Sequence, residues 1–193
     1  MTFDTDEPTP ALGAILDEGR GSLPYQLIHG ESLVACAAWA LGQAEVDLVD
    51  ASVTWDGIVE AGADLVLHDA LCPMTPPSFL ASCLDHARET GRAVVGVRPV
   101  TDTVKVVADG LVGETLERDR LLAVASPLVL PVAVLPHLPA QPPSDLAAAV
   151  AALAAAGHRV DTLEAPPAGR RVASADYVRL LEALTGPVGP PRG

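Results

Sequence analysis

Apolar residues in this chain follow two alternating patterns. Short apolar runs, each bounded by polar or turn-forming residues, predict three buried strands, at residues 11–16, 64–68 and 93–97. Longer segments with apolar residues three or four apart predict four helices, at residues 32–41, 77–89, 145–156 and 174–184. This alternation predicts an α/β domain with a mainly parallel sheet and helices on both faces.

The helix at 77–89 shows the pattern most clearly. It follows two prolines, and Phe79, Cys83 and Ala87 lie four residues apart, so they are predicted to face the core. The segment 104–115 differs, because Asp109-Gly110 separates two alternating runs and predicts a hairpin with a primed turn.

Residues 121–135 are again extended and apolar. Pro127 and Pro131 interrupt this run, and proline cannot donate to a strand ladder, so the run is predicted to lie at sheet edges or bends. The prolines from 131 to 143 predict a connecting loop.

The two ends of the chain have compositions that disfavour packing. Residues 1–10 are acidic and contain proline, and residues 186–193 are rich in glycine and proline. We therefore predict a single domain at 11–185 between two flexible tails, which suits a chain of 193 residues.

Charge and composition exclude several classes of function. The formal net charge of -13 argues against a nucleic-acid groove, because phosphate backbones are bound by clustered lysine and arginine. Lys105 is the sole lysine, so a triphosphate pocket would have few cations available.

The chain also lacks the signals of membrane or secreted proteins. No stretch approaches the roughly 20 apolar residues of a membrane span, and the acidic start does not resemble a secretory signal, so we expect a cytoplasmic protein. Cys36, Cys72 and Cys83 are scattered, which predicts neither a disulfide framework nor a zinc site.

Four blocks of sequence occur in a characteristic order. They are Leu-His-Asp-Ala-Leu-Cys-Pro at 67–73, Pro-Val-Thr-Asp-Thr-Val-Lys at 99–105, Thr-Leu-Glu-Arg at 115–118, and Arg-Val-Ala-Ser-Ala-Asp at 171–176. In order and spacing these blocks resemble the 2-C-methyl-D-erythritol 4-phosphate cytidylyltransferase family, from about Gly62 onward.

The resemblance implies a Rossmann-like nucleotidyltransferase fold and a homodimer in which a projecting β-hairpin arm, here within 104–135, helps complete the partner's site. Enzymes of this family transfer CMP from CTP to the phosphate of methylerythritol phosphate, with magnesium as the divalent metal and release of pyrophosphate. This reaction belongs to isoprenoid precursor synthesis.

The resemblance also implies roles for individual residues. Asp69 matches an acidic residue that positions metal or substrate, and Thr103 and Arg118 match residues that contact the acceptor phosphate. Arg171 lies where the family usually has a lysine near the nucleotide phosphates, and Ser52 matches a serine of the nucleotide-binding loop. Simpler interpretations remain open: Thr103 and Ser52 as turn residues, and Arg118 as part of a solvated charge cluster.

The loop after the first strand departs most from the family. The family has a glycine-rich loop with an arginine and a Pro-Lys pair, whose amides and cations hold phosphates. Here Gly19 and Gly21 are the candidate nucleotide-binding glycines, and Arg20 is the candidate catalytic arginine, although Gly-Arg-Gly is also compatible with a plain turn. The loop is shortened, and Tyr25 stands in place of the lysine.

Further departures concern charge and length. Asp17 and Glu18 would repel a triphosphate, Cys72 replaces an arginine, and no arginine precedes Ser52. The interval 41–52 is too short for the strand and helix that the family places there, and Ala147-Ala148-Ala149 replaces a Thr-Asp-Asp/Glu-Ala motif.

Three hypotheses follow. The first is a cytidylyltransferase-like protein with little or no activity, kept as a binding or regulatory partner. The second is an active enzyme that uses Arg20, Arg171 and Arg118 with CTP, a polyol phosphate and magnesium. The third is a binding protein for a smaller cationic or neutral ligand. His68 is expected to be a satisfied core or rim histidine, and Cys72 an unreactive thiol at the pocket mouth.

Overall fold

The structure is a computed structural model, and it describes residues 11–49, 52–101, 103–118 and 121–186. The tail predicted at 1–10 lies outside the described residues, and so does the tail predicted at 186–193 except for Gly186. The described strands, in chain order, are β1 Ala11–Leu16, β2 Leu27–Ile28, β3 Glu31–Ser32, β4 Asp47–Leu48, β5 Asp64–Asp69, β6 Ala93–Pro99, β7 Val104–Ala108, β8 Leu111–Leu116, β9 Leu122–Leu130 and β10 Val160–Glu164. The described α-helices are α1 Leu33–Gln43, α2 Trp55–Glu60, α3 Pro77–Thr90, α4 Leu146–Ala155 and α5 Ala175–Leu184.

Local capping determines where most helices begin. Ser32, Thr54, Asp145 and Ser174 each accept a hydrogen bond from the backbone N–H three residues later, which satisfies a donor at the helix start. The remaining helix, α3, has a proline in its first turn. It is followed by Gly91, whose positive φ of 64° is typical of the residue after a helix. The four helices predicted from periodicity are therefore confirmed to within about two residues.

A six-stranded sheet forms the centre, with strand order β10-β6-β9-β5-β1-β4. All of its strands run parallel except β9, which lies antiparallel between β5 and β6. The predicted, mainly parallel sheet is thus confirmed. Since β4 and β5 flank β1 on opposite sides, the carboxyl end of β1 lies where the strand order reverses, which is the usual ligand position in such sheets.

Alternate residues of the sheet face two separate hydrophobic clusters. Leu65 and Leu67 of β5 pack with buried residues of α2 and α4, whereas Val66 packs with buried residues of α1 and α3. Helices therefore cover both faces of the sheet, as predicted. On α3, Cys83 and Ala87 are fully buried and Phe79 is packed against the same cluster, which confirms the predicted core face.

A third cluster connects the end of the chain to the site. Val178 and Leu181 of α5 pack with Leu33 of α1 and Leu71, which follows β5. The backbone N–H of Val172 donates to the Leu71 carbonyl at 2.8 Å. This docking brings the segment that precedes α5 alongside the carboxyl end of β5.

The prediction that prolines confine residues 121–135 to edges or bends is wrong about edges. Strand β9 is central, and its residues from Ala125 to Leu130 are buried. Pro127 is tolerated because the β6–β9 register shifts between Val95 and Val97, so that Pro127 lies at an irregularity in the pairing.

Strands β7 and β8 form the predicted hairpin. Its turn residues Asp109 and Gly110 have φ values of 52° and 77°, and these positive values confirm a primed turn. The two strands form a sheet of their own. The arm was predicted within 104–135, but this range is too long, because Ala125 to Leu130 belong to the central sheet core.

No helix in the described residues is long and apolar enough to cross a membrane.

Candidate functional site at the carboxyl ends of β1 and β5

The centre of the candidate site is Asp69, the last residue of β5. Its register partner on β1 is Leu16, so the loop that begins at Asp17 leaves the sheet beside it. Asp69 is 3% exposed, and a carboxylate this deeply buried requires partners for its charge.

Two arginines and one backbone amide bind the Asp69 carboxylate. Oδ1 accepts hydrogen bonds from Arg20 Nε at 2.7 Å and from the Leu71 N–H at 2.9 Å. Oδ2 accepts from Arg20 Nη2 at 3.1 Å and from Arg171 Nε at 2.9 Å. Sequence analysis selected all three side chains, and the structure brings them together as an Arg20–Asp69–Arg171 cluster.

These four hydrogen bonds use the ordinary acceptor capacity of a carboxylate, about two lone pairs on each oxygen. Burial alone would raise the pKa of Asp69, but the hydrogen bonds from Arg20 and Arg171 hold that pKa below its ordinary value. Asp69 is therefore an ionised group whose bonding capacity is already occupied.

Arg20 also holds its own loop in place. Its Nη1 donates to the Glu18 carbonyl at 2.7 Å, and its Nη2 donates to the Ser144 carbonyl at 2.9 Å. Gly19 and Gly21 on either side have φ values of 72° and 59°, a conformation that glycine adopts at low cost. Burial would lower the pKa of Arg20, yet the hydrogen bond and charge of Asp69 raise it above its ordinary value. The side chain is 7% exposed, so little of this cation faces solvent.

Arg171 reaches Asp69 through the docking of the segment before α5. Its side chain is 42% exposed, which makes it the accessible member of the cluster. Arg171 is predicted to lie near nucleotide phosphates, and in this structure its Nε donates to the Asp69 carboxylate.

The Ser126 hydroxyl of β9 contacts both the Asp69 backbone and the side chain of the neighbouring His68. The Asp69 N–H donates to Ser126 Oγ at 3.0 Å, and the same hydroxyl pairs with His68 Nδ1. Ser126 was missed because it lies 57 residues away in sequence, and no local pattern indicates the pairing.

His68 is fully buried as expected, but its Nε2 has no hydrogen-bond partner among the described residues, so only one of its two ring nitrogens is satisfied. Burial lowers the pKa of His68 to about 4.

Cys72 is fully buried and does not lie at a pocket mouth, which corrects the prediction of its location. Burial, followed by the charge of Asp69, raises the pKa of its thiol well above the ordinary value. A thiol this difficult to ionise is a poor nucleophile, in line with the predicted lack of reactivity.

A cavity of about 430 Å³ opens beside this cluster, at the carboxyl end of β1. Among the described residues its lining contains neither lysine nor arginine, and the polar members are Asp17, Glu18, Gln141 and Ser144. Tyr25, at the position of the family's lysine, donates its hydroxyl proton to Asp17 Oδ2 at 3.0 Å. We refer to this space as the β1 cavity.

The remaining predicted residues lie elsewhere. Thr103 and Arg118 line a different cavity, of about 460 Å³, on the hairpin, where Arg118 Nη1 donates to the Thr101 carbonyl at 2.8 Å. The structure therefore brings these two together, but in a cavity whose lining does not include Asp69. Ser52 is exposed, next to Val53 of the β1 cavity.

Asp69, the residue that the resemblance assigns to magnesium, has both carboxylate oxygens bonded to protein donors in this structure. Within residues 11–49, 52–101, 103–118 and 121–186, no cluster of three His, Cys, Asp or Glu side chains is placed to hold a metal ion. A cation at Asp69 would have to displace a guanidinium, because both oxygens are already bonded.

Residues 47–183 match the family model described as IspD, 2-C-methyl-D-erythritol 4-phosphate cytidylyltransferase. The chain is 36% identical over 89 residues to the enzyme of that name from Bacillus licheniformis, which covers 44% of this chain and 38% of the relative. It is 40% identical over 103 residues to the enzyme of that name from Rhodococcus jostii, covering 52% of this chain and 42% of the relative. The matched segments thus span less than half the length of these relatives.

The fold agrees with solved structures over nearly the whole chain. The enzyme of this name from Thermus thermophilus superposes with a TM-score of 0.63, covering 91% of this chain and 98% of that one at 19% identity. The Francisella tularensis enzyme superposes with a TM-score of 0.64, covering 92% and 100% at 13% identity. Such low identity supports the fold alone, whereas the family model matches most of the sequence. This chain therefore belongs to the 2-C-methyl-D-erythritol 4-phosphate cytidylyltransferase family.

Proposed function

We propose that this chain is a cytidylyltransferase-family protein with little or no transferase activity, acting as a binding or regulatory partner. The observation that carries the proposal is the saturation of Asp69 by Arg20, Arg171 and the Leu71 amide. The residues that a transferase would direct at metal and phosphates are instead bonded to one another.

The lining of the β1 cavity supports the same conclusion. Nucleotidyl transfer depends on positioning and on cations that neutralise developing charge, and removing one such group commonly costs about a hundredfold to a thousandfold in rate. The described lining residues of the cavity include no cation, and they include Asp17 and Glu18 where a triphosphate would need positive charge.

The proposed partner is a second copy of the chain, with the hairpin as the dimer arm. Leu111 and Val112 near the hairpin turn are 75% and 68% exposed, which is unusual for apolar strand residues and suits a surface that becomes covered. In such a dimer the cavity of Thr103 and Arg118 would be presented to the other protomer.

The test is an assay of pyrophosphate release with CTP, methylerythritol phosphate and magnesium, alongside calorimetric titration with CTP and magnesium. We expect no turnover above background and no measurable heat. The Bacillus licheniformis relative serves as the positive control under identical conditions. Turnover at a rate comparable to that control would refute the proposal.

The second candidate function is an active cytidylyltransferase that uses CTP and methylerythritol phosphate or a related polyol phosphate with magnesium. It is favoured by the convergence of Arg20, Asp69 and Arg171 at the carboxyl ends of β1 and β5. In this case substrates would have to draw the arginines away from Asp69, and Arg118 of the arm would assist. Asp69→Asn should then abolish turnover, and an unchanged rate in that variant would exclude this assignment.

A further inference from the structure

The β1 cavity has the size of a small-molecule site. Its volume of about 430 Å³ falls within the usual range for ligand pockets, roughly 300–1,000 Å³. It lies at the strand-order reversal, where open α/β sheets commonly bind ligands. The position therefore favours binding even though the lining does not suit a nucleotide.

The interior of the cavity is formed by aliphatic side chains from several elements. Ile58 of α2 is buried, Ile15 and Val34 are half-buried, and Leu48 and Val53 are exposed at 48% and 41%. The two exposed side chains have apolar surface that a ligand would remove from water. A compact apolar group is the complementary occupant.

The charged residues among the described lining of the cavity are both acidic. Asp17 and Glu18 line it, and its other polar residues, Gln141 and Ser144, are neutral. The neighbouring Arg20 has its guanidinium bonded to Asp69 and to two backbone carbonyls. The Tyr25 hydroxyl fixes the Asp17 carboxylate without neutralising it.

We propose that the β1 cavity binds a small organic cation, a protonated amine attached to a compact apolar body. The ammonium group pairs with Asp17 and Glu18, and the apolar body packs against Ile15, Val34 and Val53. This inference rests on the proposed function, since a working transferase would hold CTP in this region. A net charge of -13 adds a long-range attraction for cations and disfavours anions.

The test compares three probes of similar size that share a cyclohexyl group and differ in charge: cyclohexylmethylamine, cyclohexylmethanol and cyclohexanecarboxylate. Binding is measured at pH 7 and low salt from chemical-shift changes of the backbone amides of Ile15, Val34 and Ile58. We expect the amine to bind roughly tenfold more tightly than the alcohol, and the carboxylate more weakly than either. Equal affinity of amine and alcohol would refute the proposal, as would shifts that miss the cavity.

A paired variant isolates the two carboxylates. Asp17→Asn with Glu18→Gln should remove the preference for the amine over the alcohol and leave binding of the alcohol unchanged. The matched control, Asp85→Asn with Glu89→Gln, removes two exposed acidic groups from α3 and should preserve the preference. An amine preference that survives the first variant, or is lost in the second, would overturn the assignment.

The two proposals fail in different ways. CTP turnover in the same preparation would refute the proposed loss of activity, whatever the amine does. Absence of an amine preference in a preparation that does not turn over CTP would refute the cation site and leave the proposed function intact.

Discussion

At the residue scale, the energetics of the candidate site are dominated by one buried carboxylate. The Asp69 side chain is nearly inaccessible to solvent, and its negative charge pairs with the guanidinium groups of Arg20 and Arg171. Arg20 is almost as buried as Asp69. Removing one member of a buried charged cluster leaves an uncompensated charge, which costs more than the intact cluster contributes. The cluster is therefore sensitive to loss of its centre and less sensitive to loss of its exposed member.

Asp69→Asn should lower the free energy of unfolding by about 3 kcal/mol at pH 7, because Arg20 loses its counter-charge in a buried position. Arg171→Gln should cost about 1 kcal/mol or less, since Arg171 is 42% exposed and Arg20 still compensates Asp69. Urea unfolding monitored by circular dichroism measures both values. Equal losses in the two variants would contradict this account of the cluster.

His68 predicts a dependence of stability on acid pH. Its pKa is about 4 in the folded protein, against an ordinary value near 6.5, because burial disfavours the charged ring. Between these values the unfolded chain binds more protons, so the free energy of unfolding should fall as pH decreases from 6.5 to 4, by on the order of 3 kcal/mol. The depressed pKa of Asp69 adds a further loss only below its ordinary value of about 4.

The measurement is urea unfolding across pH 4.5 to 7 for the parent protein, His68→Gln and His137→Gln. The first variant should flatten the dependence, whereas the second, at an exposed histidine, should preserve it. If His68→Gln does not fold, an NMR titration of the His68 ring in the parent protein tests the same point. A ring that titrates near 6.5 would be incompatible with the prediction.

At the element scale, the packing of β9 into the middle of the sheet depends on Gly96 of β6. A Cβ added at Gly96 would lie 2.6 Å from the Ser126 carbonyl oxygen and 2.9 Å from its carbon, distances that backbone atoms cannot tolerate. Any side chain there would therefore push β9 away from β6, and Ser126 with it.

Gly96→Ala should destabilise the fold by about 2 kcal/mol or more through this overpacking. Gly42→Ala in α1 is the matched control, because nothing lies within 4 Å of a Cβ there, and it should stabilise by about 0.5–1 kcal/mol through helix propensity. Thermal unfolding distinguishes the two. A neutral Gly96→Ala would show that β9 can shift without cost.

At the scale of the whole molecule, the proposed dimer predicts a concentration-dependent association through the hairpin. Val107 lies opposite Val112 in the hairpin register, and Leu111 adjoins them, all with exposed side chains. Replacing Val107 and Val112 by Thr and Leu111 by Lys should shift the protein toward monomer in sedimentation velocity. The melting temperature should stay nearly unchanged, because these side chains contribute little to the core of one protomer.

A matched control replaces the exposed apolar residues Leu180 and Leu184 of α5 with Lys, which should not alter association. A parent protein that stays monomeric at high micromolar concentration would exclude the dimer, and dissociation caused by the α5 variant instead would place the interface elsewhere.

The sequence by itself determined much of the fold. Apolar periodicity identified four of the five described helices, and capping residues such as Asp145 and Ser174 mark their starts, because these signals depend on neighbours within one turn. Asp109-Gly110 identified the hairpin for the same reason. The two-residue strands and the six-residue α2 carry too few residues to show a period, and they were missed.

The sequence blocks also identified the family and selected Asp69 and Arg171 as candidates, and the loop after the first strand supplied Arg20. Which groups those residues contact was decided by the tertiary structure. Residues 20, 69 and 171 come from three separate segments, and only the docking of α5 and the folding of the first loop show that they bond to one another.

The position of β9 was decided in the same way, since a strand that contains proline is central only because Gly96 and the register shift make room for it. Local interactions are encoded within a few residues. Pairing between distant segments depends on how buried surfaces and charges are compensated across the whole fold, and no short stretch of sequence contains that information.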